Sequence, residues 1–157
     1  MYLMLSFWGE NKRRINMTPY DKVYDAFLSK MLEDEWENWT EEEVRADLKL
    51  ILESAIPWFK FPRVSLDRND SGFEANLSSE EIQILATYMK CEWLNRTILT
   101  WENVKPLYEE RDFSQGNLLD KFNQRLEQEQ KTAKRLENNY YRSIKGKPYQ
   151  YRKWAGA

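Results

Sequence analysis

Three groups of residues in this chain have types and spacings that could do chemistry. The first is the runs of carboxylates, as in Glu41-Glu42-Glu43 and Glu80-Glu81. Paired carboxylates can divide acid and base work or hold a hard cation. Here each run follows a Ser or Thr and opens an apolar-periodic segment. The positive end of a helix dipole favours acids at that place, so helix starts account for them. The second is Asp67 to Glu74, "DRNDSGFE", which has the oxygen-rich composition of a calcium loop. It lacks the ligand spacing and the Glu in register at the twelfth position. The third is Tyr140 to Trp154, "YYRSIKGKPYQYRKW", with five aromatics, five Lys/Arg and no acid. Such a segment can grip phosphates and stack on bases, or order itself on an acidic protein surface.

The composition narrows the choice. The 157 residues include no histidine and a single cysteine. The commonest general base, metal ligand and pH switch is therefore missing, and neither a Ser-His nor a Cys-His nucleophile can be built within the chain. Cys91 lies inside a helical pattern and reads as a buried structural thiol, with no disulfide or thiolate zinc cluster available. The five glycines are scattered and form no phosphate cradle. We expect no catalytic residue, no cofactor and no metal, and hence no enzyme. No apolar run approaches the roughly 20 residues that span a bilayer. Net charge is −2, of which the Tyr140–Trp154 segment carries +5, leaving −7 (−2 minus +5) for the remainder. An acidic body with a basic end would repel a duplex over most of its surface. Its cations also sit off any helix aimed at a groove. Attachment to protein therefore fits better than a small helical nucleic-acid-binding regulator.

The elements that position these groups are helical. Thr18, Pro19 and Asp21 spell an N-cap, a first-turn proline and a first-turn acid, and Val23, Tyr24, Phe27, Leu28 and Met31 continue one apolar face to about Glu35. Thr40 to Glu43 is a capping box ahead of Val44, Leu48, Ile51, Leu52 and Ala55, stopped by Pro57. The burst "IPWFKF" closes that segment. Ser78 to Glu81 is another capping box, followed by Ile82, Leu85, Ala86, Met89, Trp93, Thr97, Trp101 and Val104. That stripe of Trp and Met reads as core rather than as a cofactor box. Ser114 opens a last long helix whose seam is Leu119, Phe122, Leu126, Glu129, Ala133, Leu136 and Tyr140, a heptad pattern with one polar interruption. The charges between seam positions read as a solvated face or as a face against a neighbouring subunit. Gly146 and Pro148 end the helix. Residues 60–78 alternate around the turn chemistry of "DRNDSG" and read as a small β-hairpin or ordered loop.

The expected fold is mainly α: about four helices, two of them long, a small hairpin or loop insertion and an extended tail. Residues 1–16 read as a translated leader or short N-terminal arm, because "KRRIN" before Met17 can be written in codons as a purine-rich ribosome-binding site ahead of an ATG. Residues 17–145 form the helical domain and 146–157 the docking tail. The partner-binding residues are Tyr140, Tyr141, Tyr149, Tyr151 and Trp154 as anchors, with Arg142, Lys145, Lys147, Arg152 and Lys153 meeting acid.

Three stretches carry a likeness to a known group. "EEE" before "LKLILESAIPWFKFP", then "LSSEEIQILATYMKCEWL", then "RDFSQGNLLDKFNQRL" occur in this order between about Thr40 and Leu126. They look like the patterns A-I-x-x-F, L-T/S-x-E-E-I-x-I-L-A-x-x-M-x-x-x-W-L and D-F-S-Q-x-N-x-L-x-K-L. With them the chain resembles the head-to-tail connector (neck or adaptor) proteins of tailed bacteriophages. Gly116 and Leu118 stand where that pattern has Ala and His. The resemblance implies a helical virion subunit that joins a ring, often twelvefold, beneath the portal. Its C-terminal segment would dock on the portal or a neighbouring subunit, and it would meet other neck or tail-completion proteins. DNA would pass through the lumen without sequence-specific binding, and no membrane would be involved. The place of action would be the virion's head-tail junction, after assembly in the bacterial cytoplasm.

Overall fold

The computed structural model describes residues 17–31, 36–104 and 113–143. The described chain is mainly helical, with four α-helices and one two-stranded antiparallel sheet. In chain order the elements are β1 (Thr18–Pro19), α1 (Tyr20–Leu28), α2 (Glu41–Ala55) running into a 3-10 turn (Ile56–Trp58), β2 (Gly72–Phe73), α3 (Ser79–Val104) and α4 (Phe113–Arg142). The leader reading of residues 1–16 lies outside the described residues.

Two capping boxes form as the sequence implies. The Thr40 hydroxyl accepts from the Glu43 N–H at 3.3 Å while the Glu43 carboxylate accepts from the Thr40 N–H at 2.8 Å. The Ser78 hydroxyl accepts from the Glu81 N–H at 3.3 Å, and Glu81 Oε2 accepts from the Ser78 N–H at 2.7 Å. Each box satisfies two backbone donors that a helix start leaves open.

The first helix departs from expectation. Thr18 does not cap it; Pro19 takes the N-cap position and makes no side-chain cap bond. The buried Thr18 hydroxyl instead donates to the Ala75 carbonyl at 3.1 Å and accepts from the Leu77 N–H at 2.8 Å. It thus ties the start of α1 to the approach of α3, and a long-range pair of bonds displaces a local one. The helix ends at Leu28, with residues 29–30 in a turn, short of the expected Glu35.

The 60–78 segment is an ordered loop with a minimal hairpin in it: Arg68 and Phe73 form an antiparallel bridge, and the Glu74 N–H donates to the Asp67 carbonyl at 2.9 Å. Its short strand β2 pairs antiparallel with β1, Thr18 opposite Phe73 and Pro19 opposite Gly72. Within the loop, Asn69 Oδ1 accepts from the Ser71 N–H, and the Asn69 N–H donates to the Gly72 carbonyl. This is the Asx-type turn that "DRNDSG" implies. Gly72 is required by close approach, because a Cβ there would lie 2.3 Å from the Thr18 carbonyl oxygen.

Helix α3 is the centre of the molecule. Residues 84–91 are buried without interruption, so burial runs right round the helix instead of along one face. The reason is packing from several sides, since α1, α2, α4 and the 3-10 turn all lie against it. Trp93 is 3% exposed and Met89 fully buried, both in the apolar core. Helix α4 lays its seam on α3, with Ala133 and Tyr140 buried and Phe122, Leu126 and Leu136 packed against the core. Its polar interruption has a partner: Glu129 Oε1 accepts from Lys90 Nζ at 2.6 Å, and both side chains are largely buried.

A second polar tie joins α2, α3 and the segment before α2. Asp47 accepts from Trp36 Nε1 at 2.8 Å and from both Nη atoms of Arg96, at 2.5 and 3.1 Å. Burial works against the Asp47 carboxylate, but the bonds from Arg96 and Trp36 outweigh it and hold its pKa below the usual aspartate value. A group with a depressed folded pKa adds stability above its unfolded value, and loses that stability as pH falls through the folded one. Asp47→Asn should therefore cost about 1–2 kcal/mol at pH 7, moderated by solvent at the partly exposed Arg96. The gap to the natural chain should close in thermal melts run progressively below about pH 4.

Candidate interaction site

The last four carbonyls of an α-helix have no donors of their own. At the end of α4 the Ser143 N–H reaches back to two of them, and an arginine from elsewhere supplies a further donor. Arg63, in the loop after the 3-10 turn, donates from Nη2 to the carbonyl oxygens of both Tyr140 and Ser143. Its guanidinium also reaches Ser143 Oγ at 3.3 Å and lies 4.3 Å from the centre of the Tyr140 ring. A cation at this end also complements the helix dipole. The Ser143 hydroxyl adds a bond to the Tyr140 carbonyl at 2.8 Å.

Tyr140 is the hub of this clamp. Its hydroxyl accepts from the Arg63 backbone N–H at 2.7 Å and donates to Glu81 Oε1 at 2.7 Å. The other oxygen of that carboxylate is the one in the α3 capping box. One buried carboxylate thus closes the start of α3 and holds the end of α4. Phe59 packs edge-on against the Tyr140 ring at 5.4 Å. Burial, then the bond to Glu81, pushes the phenol up to about 12, so it remains a donor at neutral pH.

This corrects one expectation. Tyr140, counted among the docking anchors, is 2% exposed and belongs to the body's own core. It satisfies both the seam spacing and the tail composition, and burial against Phe59 with three polar partners decides for the seam. Tyr141 and Arg142 do face outward. Lys145, Lys147, Tyr149, Tyr151, Arg152, Lys153 and Trp154 lie outside the described residues.

Beside Tyr141 is a surface that composition alone did not single out. Phe61, 73% exposed, meets Tyr141 edge-on at 6.5 Å. Trp58, 53% exposed, stacks on Tyr88 at 6.4 Å. Two carboxylates hold the rings: Glu92 accepts from Trp58 Nε1 at 2.7 Å, and Glu137 accepts from the Tyr88 hydroxyl at 2.8 Å and the Tyr141 hydroxyl at 3.5 Å. The available signal was the burst "IPWFKF", four large apolar residues and a Lys around a proline. It has more large side chains than a short turn can bury.

The remaining chemistry is sparse. Cys91 is buried and burial raises its thiol to about 12, which leaves it protonated and inert at neutral pH. Among the described residues no group of three or more His, Cys, Asp or Glu is placed to hold a metal ion. No described helix is long and apolar enough to cross a membrane. Compared with protein-family models, with curated proteins and with solved structures, the chain finds no match.

Proposed function

We propose that the chain is a subunit of an oligomeric ring at the head-tail junction of a tailed bacteriophage, and that its basic, aromatic C-terminal segment docks on the portal or on a neighbouring subunit. The observation that carries this reading is the Arg63 clamp. It fixes the end of α4 on the body, so the cationic segment starts from a rigid point beside exposed aromatic rings. A fixed origin lowers the ordering entropy that an attaching arm must lose.

The motif resemblance supports the same reading. Its three stretches fall on the α2 start and 3-10 turn, on the capped first half of the central helix, and on the first half of α4. These are the parts that set the body's shape. Helices of 26 and 30 residues are about 39 and 45 Å long, long enough for charged flanks to face neighbours on two sides. Side-by-side contacts of this kind are heterologous and close into a ring when the rotation permits. An acidic body lining a lumen would let DNA pass without holding it.

Native mass spectrometry of the full chain, paired with a gel shift over a salt series, tests the reading. Closed rings that leave duplex DNA unshifted are expected. A monomer at every concentration that binds DNA tightly, with steep loss in salt, would instead identify a nucleic-acid-binding regulator.

A further inference from the structure

We infer that the aromatic surface formed by Trp58, Phe61 and Tyr141 over Tyr88 is the receptor for the C-terminal segment, residues 144–157, of a second copy of this chain. The inference rests on the ring reading above and gives it a specific contact.

Three large rings exposed together in one place are uncommon on a body whose other rings are mostly packed. Aromatic surfaces with a polar handle are typical interface anchors. Here the handles are already engaged. Trp58 Nε1 is held by Glu92, and the Tyr88 and Tyr141 hydroxyls by Glu137. The rings therefore keep fixed orientations and present their faces and edges. The surface has two carboxylates at its rim, and the chain carries one segment of matching chemistry. Residues 144–157 contain Lys145, Lys147, Arg152 and Lys153 with Tyr149, Tyr151 and Trp154, and no acid. A Lys or Arg over the Trp58 face would add a cation–π contact to the charge pairing. Lys60 and Arg142, both exposed, adjoin the surface in sequence, so the pairing depends on Glu92 and Glu137.

Placement favours a second copy over the chain's own segment. The surface extends from Tyr141 back along α4 through Glu137 and Tyr88 to Trp58. A segment leaving at Ser143 would have to reverse at once to cover it. Fourteen residues span at most about 50 Å when extended, more than the width of a few packed helices at 8–10 Å spacing. Each subunit would then both give a segment and receive one, which is the pattern that propagates a heterologous ring.

The test uses the full chain. A copy carrying Phe61→p-benzoylphenylalanine at natural isotope abundance is mixed, while dilute, with an equal amount of uniformly 15N-labelled natural chain, then concentrated and irradiated. Cross-linked peptides are sorted by mass. Position 61 should join 15N peptides from residues 144–157. Joining only unlabelled ones means that the chain's own segment occupies the surface, and cross-links that omit 144–157 mean that another occupant does; either result overturns the inference. Rings in native mass spectra of the same sample, without tail cross-links, would sink this contact and leave the ring reading standing. Tail cross-links to 15N chains without rings would do the reverse. As a second measure, the double variant Trp58→Ser with Phe61→Ser should weaken self-association at least tenfold while the melting temperature stays put. Unchanged association would overturn the inference.

Discussion

Tyr140→Ala is expected to lower the stability of the folded chain by about 3–5 kcal/mol, the range for a large buried ring cut to a methyl group. In a chain of this length that amounts to a fall in Tm of the order of 10 °C. The residue is 2% exposed, packs against Phe59 and carries the stacked Arg63 guanidinium. Removing it also strands Glu81 Oε1 and the Arg63 backbone N–H, both of which now use its hydroxyl. Tyr140→Phe separates the two effects. It keeps the ring and removes only the hydroxyl, so it should cost about 1–3 kcal/mol, the penalty for unpaired buried polar groups. Thermal melts of the two variants check this. Equal costs would mean that the ring packing contributes nothing, and negligible costs would place Tyr140 outside the core.

The second large effect belongs to Lys90 and Glu129. Their bond of 2.6 Å joins the two long helices at a point where both side chains are largely withdrawn from water. Lys90→Met or Glu129→Leu alone should be strongly destabilising, about 3–5 kcal/mol, because the partner's charge stays behind uncompensated. The double variant Lys90→Met with Glu129→Leu should recover most of that loss, since a well-packed apolar pair of similar volume replaces a buried ion pair at little cost or with a gain. Denaturant titration of the two single variants and the double variant gives the coupling directly. Additive losses in the double variant would contradict a buried, mutually compensating pair.

The helices were readable because their signals are local. The capping boxes at Thr40 and Ser78 use residues three apart, and the α4 seam repeats every three or four residues, so the pattern survives without knowledge of the rest of the fold. What was not readable depends on distant partners. Thr18 has the right type and place for an N-cap, yet it bonds to Ala75 and Leu77 from the far side of α2. The turn of Asp67 to Gly72 was readable, but the pairing of Gly72–Phe73 with Thr18–Pro19 joins residues far apart in sequence, which no pattern within 60–78 reveals. Glu129 looked like a break in an apolar seam, and only the position of Lys90 on a different helix explains it. Arg63 is the clearest case. A lone arginine after a proline carries no sequence signal, yet it closes the end of α4. Tyr140 belonged to two overlapping patterns, and the contacts that choose between them come from Phe59, Arg63 and Glu81.

In the proposed function the helical body folds on its own and the end of the chain attaches. Deleting residues 146–157 tests that division most directly, with circular dichroism and thermal melting read beside assembly into rings and onto a portal. The truncated chain should keep its helical signal and its melting temperature, because the clamp of Arg63, Tyr140 and Ser143 lies wholly before the cut, and it should fail to assemble or attach. A truncated chain that assembles as the full one does, or that no longer folds, would contradict the account.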